Sequence, residues 1–103
     1  MLDTTPLTDA VDQFADRLRA APESRLQRVA AAEARSLARE LAVRAQTIED
    51  PSTEPREMPD AGLFAVSDQV TVAGRDLALV LTDEAQLTEA VDLVREAQKR
   101  AGV

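Results

Sequence analysis

Apolar residues in the first fifth of the chain recur at helical spacing. Leu7, Val11, Phe14, Leu18 and Ala21 follow one another at intervals of four and three. This sets them in one stripe of a helix, with Asp9, Asp12, Asp16 and Arg17 outside it. Thr5-Pro6 reads as an N-cap followed by Pro at the first helical position, where a missing N–H does no harm. Pro22 closes this helix and can open the next, with Glu23 complementing the positive helix end. From Glu23 to Ile48 there is no Gly or Pro, and Ala, Leu, Arg, Glu and Gln dominate, all strong helix formers. Leu26, Ala30, Leu37, Leu41 and Ile48 share its apolar face, and Arg28, Arg35 and Arg39 its opposite one.

Residues 49–60 read EDPSTEPREMPD, with three prolines, no apolar period and too few amide donors for a strand. This is a proline-rich acidic loop. It is long for a connection in a helical bundle, so it crosses over the bundle, is mobile or has a task.

The stretch 61–81 admits two readings. Coiled at 100° per residue, it sets Leu63, Val66, Val70, Ala73, Leu77, Val80 and Leu81 in one arc, with Asp68, Gln69, Arg75 and Asp76 elsewhere. Folded as a hairpin over 69–81, Gly74-Arg75 would be a two-residue turn pairing Val72 with Leu77 and Val70 with Leu79, giving an α+β fold. The helix is preferred, because a lone short hairpin is marginal and the helical stripe runs much further. It places Gly74 in mid-helix, at about 1 kcal/mol relative to Ala, which a close neighbour at that point would make tolerable. A last helix follows a cap at Thr82 or Asp83, with Leu87, Ala90, Val91, Val94, Ala97 and Ala101 as its stripe and Gly102 as its stop. Asp92 with Arg95 and Glu96 with Arg100 are expected as intrahelical pairs. The expected fold is an all-α, small four-helix bundle with helices near 6–20, 22–48, 61–81 and 83–101, one domain over 1–103.

Composition narrows the chemistry. Among 103 residues there is no His, Cys, Trp or Tyr, which removes Ser-His and Cys-His nucleophile pairs, thiolate or imidazole zinc sites, Fe–S clusters and disulfides. No cofactor is expected. The net charge of −7 disfavours nucleic acid and anionic membrane as partners, since both call for a basic face. The first eleven residues carry two Asp and no basic residue, unlike a secretory or transit segment. The longest apolar run, Leu77 to Leu81, is far short of the roughly 20 residues of a membrane span. A cytoplasmic location is expected, with no membrane association. Nineteen Ala, and Arg at eleven of twelve basic positions, suggest a GC-rich bacterial coding background.

The Arg28, Arg35, Arg39 stripe offers a docking surface for carboxylates or phosphates. The plainer reading is a solvated face, since no aromatic residue is interleaved for base stacking. Glu33, Glu40 and Arg44 lie at the edge of the apolar arc, and Glu40 to Arg44 reads as a rim ion pair. For magnesium, the spaced acids are Asp9 with Asp12, Glu54 with Glu57, and Glu89 with Asp92; the first and last pairs sit on or beside wet faces, the middle one in the loop, so convergence is not expected. Phe64, Val72 and Leu79 lie outside the third helix's main arc. They either cover another helix or form a patch for a second subunit or partner. The expected role is therefore a non-catalytic interaction module or small homo-oligomer, with a protein or a second copy as partner. A Mg-dependent nucleotide hydrolase of the all-helical kind and a DNA-contacting regulator using the Arg stripe are the alternatives.

Overall fold

The computed structural model describes residues 1–62 and 65–103, the side chains of Arg25, Gln27 and Arg28 lying outside that description. Among the described residues four helices form: α1 (Thr5–Ala20), α2 (23–49), α3 (Val66–Val80) and α4 (Glu84–Ala101). The all-α bundle expected from the pattern is the fold observed. The hairpin over 69–81 is overturned, because Val66–Val80 is one uninterrupted helix whose apolar stripe has three other helices to close on.

The helix ends shift from expectation for local reasons. Thr5 is already helical and Thr4 is the cap, with the Thr5 N–H donating to Asp3 Oδ1 at 3.0 Å. Pro22 is the N-cap of α2 rather than its first residue. The third helix starts at Val66 instead of 61, because Gly62 adopts φ +93° and donates its N–H to Asp60 Oδ1 at 2.9 Å. That left-handed turn, open to Gly and costly to other residues, is incompatible with a helix running through it. Leu63 lies outside the described residues. Asp83 caps α4 by accepting from the Gln86 N–H at 2.8 Å, while Gln86 Oε1 accepts in return from the Thr82 N–H. Gly102 closes α4 in the left-handed conformation, φ 73°.

One feature of α2 has no counterpart in the sequence pattern. Leu26–Ala30 forms a π-helical turn between Glu23–Arg25 and Ala31–Glu49. On an ideal helix Leu26 and Ala31 would point about 140° apart. The wider turn, with i to i+5 bonding, brings residues five apart into line. Both Leu26 and Ala31 are buried, so the bulge joins the start of α2 to the core face of its longer part.

Around the bundle the order is α1, α3, α2, α4: α1 packs on α3 and α4, and α2 packs on the same two. The core is built of Leu7, Val11, Phe14, Leu18, Leu41, Val66, Val70, Leu77 and Val94, fully buried, with Ala15, Ala34, Ala38 and Ala97 between them. These small residues let helices approach closely, most of all at Gly74, which faces Val11. All six stripe residues of α4 are buried. Among the described residues no helix is long and apolar enough to cross a membrane.

Candidate functional site

The connector after α2 folds back along that helix and makes the most organised polar region of the surface. Its first turn is built on Asp50, whose carboxylate accepts from the hydroxyls of Thr53 and Ser52 and from the Ser52 N–H. Those bonds, Thr53 first, hold the Asp50 carboxyl below its usual range. Further on, Gln46 grips one residue of the connector by both main-chain groups: Gln46 Oε1 accepts from the Arg56 N–H at 2.7 Å, and Gln46 Nε2 donates to the Arg56 carbonyl at 3.3 Å. On α3, Gln69 Nε2 donates to the Pro59 carbonyl at 2.8 Å. Asp60 then reaches Arg35, with Oδ1 3.3 Å from Nε. Met58, half-buried, packs against the core beneath this strap.

Arg35, Arg39, Ala42 and Gln46 follow at four, three and four, so they share one flank of α2. Part of the expected Arg stripe is thus the seat of the chain's own acidic connector and not a solvated face. Arg35 is only 26% exposed at its side chain. Arg39 is half-buried; its Nε is buried without a hydrogen bond, and among the described residues it makes no ion pair. The side chain of Arg28 lies outside the described residues. A shallow groove of about 350 Å³ runs beside these residues, lined by Ala32, Arg35, Ser36, Arg39, Glu40 and Val43.

A second concavity, about 220 Å³, opens where α2, α3 and α4 meet, with Val43, Ile48, Leu77, Leu81 and Ala90 as its apolar walls. Arg44 stands at its mouth between Glu40 (2.9 Å) and Glu89 (2.6 Å), so the expected Glu40–Arg44 pair is present and extends to α4. Burial works against the Arg44 charge, but the hydrogen bonds it donates to Glu89 and Glu40, together with their negative charges, outweigh it and raise its pKa above the ordinary value.

Of the other expected residues, Val72 and Leu79 lie on the outer face of α3, 55% and 85% exposed. They do not cover another helix. Phe64 lies outside the described residues. The acid pairs do not assemble: Asp12 is met by Arg75 at 3.2 Å and Glu89 by Arg44, and among the described residues no three acidic side chains are grouped to hold a metal ion. Arg100 turns to Glu33 of α2 at 3.0 Å instead of its expected neighbour Glu96. Gln46, Asp60 and Gln69 were not anticipated as a group. Their signal was present in the four-three-four run ending at Gln46, set against a connector of opposite charge. No family model, curated protein or solved structure matches the chain.

Proposed function

We propose that the chain is a non-catalytic helical interaction module that pairs with a second copy or a partner protein through the outer face of α3, in a bacterial cytoplasm. The observation that supports this is the line made by Val72 and Leu79, seven residues apart on one exposed side of a packed helix. On the helix projection Arg75 and Asp76 flank that line on opposite sides, so a second copy aligned in parallel would set unlike charges against each other. Burying Leu79 and Val72 would add apolar contact to a core that is rich in Ala and, among the described residues, holds one buried aromatic side chain, Phe14.

Sedimentation at micromolar concentration tests the reading. Association is expected for the wild type and should be lost in Val72→Asp/Leu79→Asp. A strict monomer that retrieves no partner from lysate would count against it. No observation favours the alternatives. Asp12 and Glu89 are paired with arginines and no three acidic side chains are grouped among the described residues, so nothing there favours a magnesium-dependent hydrolase, and Asp60 already neutralises one cation of the stripe that would meet DNA.

A further inference from the structure

The connector sits on α2 in a manner suited to an exchangeable segment. Its grips are to main chain: Gln46 takes both backbone groups of Arg56, and Gln69 takes the Pro59 carbonyl. Any extended segment offers the same groups. The side-chain contacts that read chemistry are Arg35 on Asp60 and the core on Met58. From Arg35 to Gln46 the helix rises about 16 Å, and the four steps from Asp60 back to Arg56 span at most about 14 Å when fully extended. With the reach of the Arg35 and Gln46 side chains added, residues 56–60 are long enough to run along the helix from one grip to the other. A connection running from residue 50 to 65 also exceeds the roughly 2–8 residues that usually join bundle helices, and the excess is laid along this flank.

The fit is incomplete. Arg39 stands one turn from Arg35, and the Nε of each is buried without a hydrogen bond, as is Gln69 Oε1; Arg35 still has the Asp60 charge beside it, and Arg39 has none among the described residues. The connector offers the two guanidinium groups one carboxylate, Asp60, while Glu57 is exposed and makes no ion pair among the described residues. Arginines four apart on a helix are separated by about 6 Å along its axis. In an extended segment, residues two apart are separated by about 6.6 Å. An acid-x-acid segment would thus match both arginines; at the corresponding position this connector carries Met58, whose side chain turns to the core and leaves Arg39 without a carboxylate. The groove beside Arg35 and Arg39 leaves room for it. The net charge of −7 does not prevent such contact, because repulsion from distant acids is screened beyond about 8 Å at physiological salt.

We propose that the Arg35–Arg39–Gln46 flank of α2 is a docking site for an extended acid-x-acid segment of a partner protein, and that residues 56–60 of the connector occupy it as a built-in competitor. The site is separate from the outer face of α3. Tethering gives the connector an effective concentration in the millimolar range, so an outside segment must bind well to displace it.

The test uses a fluorescent peptide of residues 54–62 and the same peptide carrying Met58→Glu, with anisotropy as readout. In a chain whose residues 54–60 are replaced by a Gly/Ser linker, both peptides should bind, the Met58→Glu peptide more tightly by up to about fivefold. Wild type should bind each much more weakly. Adding Arg39→Ala should abolish that preference and Arg35→Ala should weaken both peptides, whereas Val72→Asp/Leu79→Asp should leave binding unchanged. A linker chain that keeps its helical dichroism and cooperative unfolding yet binds neither peptide overturns the proposal, as does a preference that survives Arg39→Ala. Should the linker chain fail to fold, Asp60→Ala in the full chain, which weakens the competitor and leaves Arg35, Arg39 and Gln46 in place, is used instead: it should bind the peptides more tightly than wild type, and equal binding overturns the proposal.

Discussion

A Cβ placed on Gly74 of α3 would stand 2.5 Å from Cγ2 and 2.8 Å from Cγ1 of Val11 on α1. Both residues are buried, and Val11 is fully so. The glycine is therefore kept in mid-helix by the closeness of α1, which offsets its poor helix propensity. Gly74→Ala gains about 1 kcal/mol in propensity but overpacks a rigid contact, typically by 1–3 kcal/mol. A net loss of up to about 2 kcal/mol is expected by urea denaturation. In a Val11→Ala background the clash is gone, so the same substitution should be neutral or stabilising. A double-mutant cycle measures that coupling; additive effects would mean the two helices do not meet there.

The connector's grips are worth little to global stability but much to local order. The Arg35–Asp60 pair is partly exposed, 26% and 54% at the two side chains, where such pairs contribute about 0–1 kcal/mol. Gln46→Ala should therefore change the unfolding midpoint only slightly. Hydrogen exchange at the Arg56 amide should meanwhile accelerate strongly, because its acceptor is removed.

Acidification should loosen the turn at the start of the connector. The hydroxyl and amide donors of Thr53 and Ser52 lower the Asp50 pKa in the folded chain. The sign follows from linkage: a carboxyl whose pKa is depressed on folding stabilises the fold above its unfolded value, and that contribution fades as pH falls through the lower folded value. An NMR titration should show the Ser52 amide and the Asp50 carboxyl moving together, below the ordinary Asp range. In Asp50→Asn the Ser52 amide should no longer follow that titration.

Arg44 ties α2 to α4 through Glu40 and Glu89 at the mouth of the apolar cleft. Arg44→Ala should cost about 1 kcal/mol, since hydrogen bonds to charged groups are lost at a partly exposed site. Glu89→Gln keeps the hydrogen bond geometry and removes one charge, so it should cost less. Thermal denaturation of both variants at low and high salt checks the order.

Most of the bundle was legible because its helices are amphipathic with little competing signal. Leu87, Ala90, Val91, Val94, Ala97 and Ala101 all proved buried, as did Leu7, Val11, Phe14 and Leu18. What the pattern missed depends on contacts between distant segments. The π-turn at Leu26–Ala30 answers the need to align Leu26 with Ala31 against the core, which no local propensity announces. The late start of α3 follows from the backbone of Gly62, a residue whose freedom gives no direction by itself. The role of the α2 flank was half legible: the arginines were visible as a stripe, but only tertiary folding sets Asp60 on Arg35 and Gln46 on Arg56.

The seating of the connector on α2 is tested most directly by nuclear Overhauser spectroscopy on the full chain at neutral pH. Cross-peaks are expected between the Gln46 side chain and the Arg56 amide, and between the Gln69 side-chain amide and the α-proton of Pro59. Random-coil shifts over residues 50–62, with neither cross-peak, would contradict it.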